Sequence, residues 1–246
     1  MLSADQISAY RRDGFVVARD VLPSGEIAAL RAEEERLWSE AAVDLEREGI
    51  FWRKHETLGR VADRLDPVCT ISKPFAAVAE DARMKAIATC VLGASGAFFK
   101  DKLITKPPGT DGYGLHYDYA YWTGLGVPPD EFVTLSLALD ASDEANGGVE
   151  LFSGLQAKVL PPSREDPFDL DPAFVVGMKS RVPELAAGDV LVFHSRVPHR
   201  SAPNRSDRAR RVYIATYMHA RHAGRAHPYD PERRKIVYRA LARENV

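Results

Sequence analysis

The segment Glu131-Phe-Val-Thr-Leu-Ser-Leu-Ala-Leu139 decides the fold class, because it is β-rich and partly alternating, as strands of a β protein are. Short runs of the same kind lie on either side of it, at 98–105, 149–152, 190–193 and 211–217. Turn signals at Asn146-Gly147 and Ala187-Gly-Asp189 separate some of these runs. Short strands punctuated in this regular way predict a mainly β protein with flanking helices, whose core is a double-stranded β-helix, the cupin-like jelly roll.

The N-terminal part of the chain has helical signals instead. Ser3 and Gln6 fit a capping box that opens a short helix, which Gly14 ends. Apolar residues at helical spacing predict a second helix over 24–48, and a third is predicted over 81–92. We therefore expect one domain over 1–246, with a helical layer over about 1–95, a jelly-roll core over about 96–220 and a helix in the C-terminal tail.

One segment has no clear period. Residues 161–172 are rich in proline and acidic side chains. This composition predicts a long surface loop, which would suit an active-site lid.

Composition narrows the class of protein. The chain has 246 residues, 45% of them hydrophobic, which is enough for a substantial core without disulfides. Its net charge of −2 argues against nucleic-acid or membrane partners. Cys69 and Cys90 give no disulfide framework, and no targeting signal is visible. We therefore expect a cytoplasmic protein, monomeric or homodimeric, that binds a small molecule.

His116 and Asp118 form the first candidate site, in Leu115-His-Tyr-Asp-Tyr-Ala-Tyr-Trp122. Alternate residues of a strand point to the same side of the sheet, so the imidazole and the carboxylate can face one point. A second histidine from a distant strand would complete a facial triad, a ligand set that suits non-haem Fe(II) with open positions. The His-x-Asp pair alone is weak support, because most such pairs are polar surface residues.

A second block, 188–201, supplies His194 and His199 as candidates for the distant ligand. Eleven residues after His199 comes Arg210, at the head of an apolar run. A strand arginine near such an iron is suited to grip a dicarboxylate through a bidentate fork. Arg208 and Arg211 compete with it, although Arg211 should face away if this run is a strand.

Four blocks, in this order and spacing, carry a family resemblance. They are the opening Asp5-Gln-Ile-Ser-Ala-Tyr-Arg-Arg-Asp-Gly-Phe-Val-Val17, then Leu103-Ile-Thr-Lys-Pro-Pro-Gly109 leading to His116-x-Asp118, then Asn146-Gly-Gly-Val-Glu-Leu151, then Gly188-Asp-Val-Leu-Val-Phe-His194 followed by His199-x-Ser201-x-x-Asn204 and Arg210. The chain resembles the phytanoyl-CoA dioxygenase family of Fe(II)/2-oxoglutarate oxygenases. The segment Phe152-Ser-Gly-Leu-Gln156 departs from the Pro-Gly-Ser-His that is frequent in the family. Because we expect that segment to border the active site, the departure leaves the substrate open.

The resemblance implies iron ligands at His116, Asp118 and His199. His199 is preferred over His194 because Ser201, Asn204 and Arg210 follow it at the spacing found in the family. It also implies a 2-oxoglutarate anchor at Arg210, assisted by Ser201. The expected activity is a dioxygenase reaction that uses Fe(II), O2 and 2-oxoglutarate. It would hydroxylate an unactivated C–H bond of a small metabolite and release succinate and CO2.

Two further side chains are candidates for contacts with the co-substrate. Lys102 could help to hold its carboxylate, and the Thr134 hydroxyl could donate to it, although a strand hydroxyl often satisfies only local backbone. Alternation along the His-x-Asp strand would place Trp122 in the pocket and Tyr121 on the opposite face. Two rival functions stay open: a cupin-like metalloenzyme that does not use 2-oxoglutarate, and a non-catalytic binding protein with a vestigial metal motif.

Overall fold

Two antiparallel sheets form the framework of the protein in the computed structural model, which describes residues 1–41, 49–166 and 168–224. The helices are α1 (Ala4–Asp13), α2 (Ser24–Ala41), α3 (Lys73–Ala79) and α4 (Ala82–Leu92). The strands are β1 (Phe15–Ala18), β2 (Ile50–His55), β3 (Gly59–Leu65), β4 (Gly96–Lys106), β5 (Tyr113–His116), β6 (Phe132–Ala138), β7 (Val149–Phe152), β8 (Ser180–Arg181), β9 (Val190–His194), β10 (His199–Ser201) and β11 (Arg210–His219).

The strand order is that of a two-sheet β core. Within the described residues, the major sheet runs β1-β9-β6-β11-β4-β3-β2 and the minor sheet runs β5-β10-β7-β8. From β4 onward the chain alternates between the two sheets, except that β7 and β8 both lie in the minor sheet. The predicted mainly β fold with flanking helices is confirmed.

The helices cover one face of the major sheet. Apolar side chains of that face, such as Leu103 and Tyr213, form one buried cluster with Ile27, Phe75 and Met84 of the helices. Fully burying a side chain of this kind contributes about 1.5–3 kcal/mol, so this layer supplies much of the stability. The helices thus form an outer layer, and the other face of the sheet is left for the cavity.

The helix signals located both ends of two helices correctly. Ser3 and Gln6 form the predicted capping box, and Gly14 ends α1 in the left-handed conformation with φ of +85°. Asp81 caps α4 and Gly93 ends it. The predicted extension of the second helix to Glu48 falls on 42–48, outside the described residues, and so does the predicted tail helix beyond 224.

The predicted helical layer differs from the structure in one respect that concerns the site. It contains the β2–β3 hairpin, which pairs with β4 through Arg64 opposite Ile104 and so widens the major sheet. Much of this hairpin is only half-buried, and its charged residues hid the strand alternation in the sequence. Among the described helices, none has the length and apolar character needed to cross a membrane.

Candidate metal centre

His116, Asp118 and His199 come together at one end of the minor sheet. His116 is the last residue of β5, His199 is the first residue of β10, and the two are paired directly across the strands. Tyr117 remains extended, with φ −130° and ψ 141°, so Asp118 returns to the side of His116. One ligand atom from each of the three side chains lies within 4.8 Å of the others. The structure therefore brings together the three residues that the sequence predicted as a triad.

Backbone carbonyls set the orientation of both imidazoles. Nδ1 of His116 lies 2.8 Å from the Gly114 carbonyl oxygen, and Nδ1 of His199 lies 2.9 Å from that of Val197. A carbonyl oxygen can only accept, so each Nδ1 carries the hydrogen and donates it. Each Nε2 is left with a lone pair, and the ring centroids are 4.3 Å apart. This second hydrogen bond is the usual support of a metal-binding histidine.

The charges around the triad favour the states that bind a metal. Burial lowers the pKa of His116, and the neighbouring His199 lowers it further; burial also lowers the pKa of His199. Burial alone would raise the pKa of Asp118, but the Lys102 ammonium and the two imidazoles outweigh it and lower the pKa. Near neutral pH the site therefore offers two neutral imidazoles and one carboxylate, the protonation states that metal binding requires.

The two polar residues proposed as co-substrate contacts both touch Asp118. The Thr134 hydroxyl donates to Oδ2 of Asp118 at 2.9 Å, and Nζ of Lys102 lies 3.8 Å from Oδ1. Lys102 also lines the cavity in front of the triad. In this structure both side chains fix the carboxylate, and a contact with the co-substrate stays a prediction for each of them.

His194 lies in a different environment. Its Nε2 is 2.9 Å from Oδ1 of Asp130, and its Nδ1 accepts from the backbone N–H of Arg196. Both ring nitrogens are therefore engaged. Within the described parts of the chain, the group of possible metal ligands contains His199 and leaves His194 out. The alternation of β9 explains this, because its neighbour Phe193 lines the cavity and contacts His199, so His194, the last residue of the strand, faces the other side.

Arg210 lines the same cavity as the triad. It is only 2% exposed, its Nε is buried without a hydrogen-bond partner, and its guanidinium makes no ion pair with any residue that the structure describes. Burial lowers the pKa of Arg210 to about 10, so the group is still charged at neutral pH. A buried and unpaired guanidinium is costly, which makes it a strong indication of a site for an anion.

Ser201 and Lys106 lie next to Arg210. Arg210 is paired with Lys106 across β11 and β4, and Nζ of Lys106 donates to Oγ of Ser201 at 2.9 Å and to the Ala202 carbonyl oxygen at 2.7 Å. Burial lowers the pKa of Lys106 to about 6, and the charge of Arg210 contributes to this shift. The Gly147 carbonyl oxygen, 3.5 Å from Nζ, is a third acceptor for this amino group.

The competing arginines point elsewhere. Arg211 forms ion pairs with Asp140 and Glu34 on the helix side of the major sheet, as the alternation predicted. Arg208 is half-exposed and pairs with Asp143.

Two features of the site were not predicted from the sequence. A short 3-10 helix begins at Asp118 and ends the strand alternation, so Tyr121 lines the cavity together with Trp122, and its predicted outward position is wrong. Tyr121 stacks on Phe168 at 4.7 Å between centroids. Phe168 belongs to the predicted surface loop, which is bound to β5 through the Leu170 N–H and the Leu115 carbonyl oxygen at 2.8 Å. No local pattern in the sequence marks either feature.

The segment that departs from the family pattern has an unexpected location. The Gln156 side chain donates to the carbonyl oxygens of Arg11 and Arg12 at the end of α1. Leu155 packs into a cluster with Leu115 and Phe152. This segment connects the minor sheet to the first helix, and the cavity is lined by other residues.

Fold and site together define the class of protein: a jelly-roll protein whose cavity contains a His/Asp/His triad able to hold a metal and a buried arginine whose Nε has no hydrogen-bond partner. The family model for phytanoyl-CoA dioxygenase (PhyH) matches residues 10–212, and the chain belongs to this family. The resemblance found in the sequence is thereby confirmed.

Characterised relatives act on small molecules of different kinds. The chain is 28% identical over 170 residues to an ectoine dioxygenase of Streptomyces anulatus, covering 68% of this chain and 56% of that protein. It is 25% identical over 224 residues to a 2-aminoethylphosphonate dioxygenase from an uncultured bacterium, covering 87% of this chain and 80% of the relative. The chain thus spans little more than half the length of the first of these proteins.

Solved structures share the fold. The epimerase SnoN, crystallised with Fe3+, alpha ketoglutarate and nogalamycin RO, is 25% identical with a TM-score of 0.72, covering 88% of this chain and 83% of SnoN. EctD from S. alaskensis, crystallised with 2-oxoglutarate and 5-hydroxyectoine, is 21% identical with a TM-score of 0.76, covering 89% of this chain and 77% of EctD. At that identity the likeness to EctD concerns the fold alone.

Proposed function

We propose that this protein is an Fe(II)/2-oxoglutarate-dependent dioxygenase that hydroxylates an unactivated C–H bond of a small metabolite and releases succinate and CO2. The observation that carries the proposal is the unpaired guanidinium of Arg210 in the cavity that also contains His116, Asp118 and His199. A metal site alone would suit many cupin-like enzymes. A buried cation without a partner beside it calls for an anionic co-substrate.

The three side chains fit a ferrous ion. Two imidazole Nε2 atoms and one carboxylate form the facial set that leaves positions open for other ligands. Their partners hold them in place: the Gly114 and Val197 carbonyl oxygens orient the rings, and the Thr134 hydroxyl orients Asp118. We assign His116, Asp118 and His199 as the iron ligands on this basis.

The surroundings of Arg210 fit the distal carboxylate of 2-oxoglutarate. The guanidinium can form a bidentate, charge-assisted pair with a carboxylate. Ser201 lies beside it, and its Oγ already accepts from Lys106 and from the Tyr113 N–H, so its own hydrogen is free to be donated to an anion. Arg210 and Ser201 are therefore assigned to the co-substrate.

The protein's contribution to the reaction is positioning and exclusion of water. When bound, iron and 2-oxoglutarate supply the oxidising chemistry. Arg210 and Ser201 fix one end of the co-substrate, and the triad fixes the other. Tyr121 and Trp122 form an aromatic wall of the cavity in front of the triad, where a substrate C–H bond would be held.

The relatives support a small polar metabolite as substrate, since the two proteins named above are called ectoine dioxygenase and 2-aminoethylphosphonate dioxygenase. Identities below 30% do not carry either substrate over to this chain. We also propose a reducing, cytoplasmic setting, because Cys69 and Cys90 are both free thiols.

The test is an anaerobic titration of 2-oxoglutarate into protein saturated with Fe(II), followed by the metal-to-ligand charge-transfer band. Arg210→Ala should weaken 2-oxoglutarate binding by roughly thirtyfold or more, since losing one partner of a desolvated charge pair costs about 2–5 kcal/mol. Arg210→Lys keeps the positive charge but not the two-pronged geometry of the guanidinium, so it should lose less affinity for 2-oxoglutarate than Arg210→Ala. Arg208→Ala, a half-exposed arginine of the same segment, is the matched control and should titrate like the parent.

The outcomes separate the rival functions. If the charge-transfer band is absent in the parent and in every variant, the result would favour a cupin-like enzyme that does not use 2-oxoglutarate. An unchanged titration in Arg210→Ala would move the anchor to another residue. A screen for succinate release with Fe(II), ascorbate and a panel of metabolites then identifies the substrate.

A further inference from the structure

The cavity in front of the triad has an excess of positive charge. Three carboxylates line it, against six cationic side chains: Arg53, Arg64, Lys100, Lys102, Arg200 and Arg210. Under the proposed function, the two positive charges of Fe(II) and the two negative charges of 2-oxoglutarate cancel each other. When Asp63 and Glu150, which pair with two of these cations from outside the lining, are also counted, six cations face five carboxylates, and the one positive charge in excess concerns the substrate.

Four of the six cations have carboxylate partners on the protein. Arg53 lies 3.5 Å from Asp63, Lys100 lies 3.2 Å from Asp66, and Lys102 lies 3.8 Å from Asp118. At the rim, Nε of Arg200 lies 2.6 Å from Glu150. Arg210 is assigned to the co-substrate. Arg64 is the remaining one of the six cations, with neither a carboxylate partner among the described residues nor an assigned ligand.

Arg64 is built into the cavity wall without a polar partner. It is 8% exposed, and its Nε is buried without a hydrogen bond. Its guanidinium makes no hydrogen bond or ion pair with any residue in the described ranges, and its Cζ lies over the Phe51 ring, 3.7 Å from the centroid. Stacking on an aromatic ring holds the guanidinium in place but leaves its in-plane N–H groups unsatisfied. These N–H groups are the donors that a carboxylate or a phosphate would accept from.

The register places Arg64 near the reacting centre and away from the co-substrate anchor. Arg64 on β3 is paired with Ile104 of β4, which makes Lys102 its diagonal neighbour, and Lys102 contacts Asp118. Arg210 lies on β11, on the far side of β4. Two strand spacings, roughly 10 Å, separate the backbones that carry the two arginines. This separation allows the two arginines to serve two different anions.

We propose that Arg64 binds an anionic group of the primary substrate, a carboxylate or a phosphorus oxyanion, and so selects substrates that carry one. The proposal rests on the proposed function, because that function assigns Arg210 to 2-oxoglutarate. Binding such a group would compensate a buried charge that the protein leaves unpaired, and the planar fork of arginine matches both kinds of oxyanion. Phe51 would keep the fork pointing along the cavity wall.

The experiment measures anion binding to the protein saturated with Fe(II) and 2-oxoglutarate under anaerobic conditions. The probes are acetate and inorganic phosphate, with acetamide as the neutral counterpart of acetate, and binding is followed by calorimetry and by the charge-transfer band. The parent protein should bind at least one of the two anions and should not bind acetamide. Arg64→Gln should weaken the binding of that anion by about tenfold or more, and Arg64→Lys should weaken it less.

The matched control is Arg200→Gln. Arg200 also lines the cavity and also stacks on an aromatic ring, that of Phe152 at 5.4 Å, but it has a carboxylate partner. This variant should bind the anions as the parent does. The 2-oxoglutarate titration is run in parallel, and it should be unchanged in Arg64→Gln, which also verifies that the variant is folded.

The outcomes are distinguishable. If the 2-oxoglutarate band fails to form in the parent, the proposed function is wrong. If the band forms but neither anion binds, or Arg64→Gln and Arg200→Gln bind it equally well, the proposed role of Arg64 is wrong while the proposed function stands. A loss of 2-oxoglutarate affinity in Arg64→Gln would also overturn the proposal, since it would make Arg64 part of the co-substrate site. Preference for acetate or for phosphate identifies the kind of oxyanion.

Discussion

At the scale of single residues, the site is organised before a metal arrives. Each imidazole already donates from Nδ1 to a carbonyl oxygen, and the pKa shifts keep both rings neutral and Asp118 ionised. A metal therefore meets ligands that need neither rotation nor loss of a proton. Arg64 and Arg210 line the same cavity with buried Nε groups that have no hydrogen-bond partner, and under the proposals above each of them binds an anionic ligand.

The choice of His199 over His194 gives a direct test. His199→Ala and His116→Ala should each weaken binding of Mn(II) or Fe(II) by more than about a hundredfold, which is the upper end of the loss seen when only the partners of metal ligands are changed. His194→Ala should bind the metal as the parent does. Calorimetry with Mn(II) measures the three affinities, and circular dichroism verifies the fold. Loss of metal in His194→Ala with retention in His199→Ala would reverse the assignment.

Lys106 should give the stability a pH dependence. Its pKa is lowered to about 6 in the folded protein, whereas an unfolded chain has the ordinary value of about 10.4. Between these two values the unfolded chain binds more protons, so stability rises as the pH rises through this window. One such group contributes up to about 1.4 kcal/mol per pH unit. Lys106→Met should flatten the rise in unfolding free energy between pH 7 and pH 9, as measured with urea.

The exposed Lys54→Met variant is the control for this pH series, and it should keep the slope of the parent. Parallel pH profiles for the parent and Lys106→Met would contradict the lowered pKa of Lys106.

At the scale of elements, the pairing of β5 with β10 decides whether the triad forms. The close approach of these strands depends on Gly112, because a Cβ there would lie 2.1 Å from the Ser201 carbonyl oxygen. Gly112→Ala should therefore displace β5, lower the stability by about 1–3 kcal/mol and weaken metal binding by about tenfold or more. Thermal unfolding and Mn(II) calorimetry measure the two effects. Gly25→Ala in α2, where no described atom lies within 4 Å of the added Cβ, should show neither effect.

The elements also show what the sequence could predict and what it could not. Period-2 alternation and turn residues identified β6, β9 and β11, and capping residues located the ends of α1 and α4, since these signals are local. His116, Asp118 and His199 were found because strand alternation and family-like phasing both constrain them. Arg64 and Phe168 were missed because their positions in the site depend on strand pairing and loop docking, which join residues distant in sequence.

At the scale of the whole molecule, the two sheets have different tasks. The triad comes from β5, β10 and the turn that follows β5, all on the side of the minor sheet. Arg210, Lys102 and Arg64 lie on β11, β4 and β3 of the major sheet. Under the two proposals above, the metal ligands therefore come from the side of the minor sheet, and the two arginines that bind organic anions come from the major sheet, with Ser201 of β10 assisting Arg210. A molecule that binds the metal and Arg210 at once connects the two sheets.

This division predicts that metal and 2-oxoglutarate stabilise the fold cooperatively. A ligand present at a hundredfold excess over its Kd adds about 2.7 kcal/mol, which corresponds to a rise in Tm of about 5–10 °C for a chain of this size. Mn(II) alone should raise Tm, because all three of its proposed ligands lie on the side of the minor sheet. 2-Oxoglutarate alone should raise it little, because Arg210 supplies only one of its two attachments. The Tm shift with both ligands present should exceed the sum of the two separate shifts, since each ligand completes the site of the other. In Arg210→Ala the Tm rise with Mn(II) alone should persist, but the shift with both ligands should no longer exceed the sum of the separate shifts. Arg208→Ala should behave like the parent in both respects. Differential scanning fluorimetry over the four ligand combinations measures these shifts, and strictly additive shifts in the parent would mean that the two sheets are not connected through the bound co-substrate.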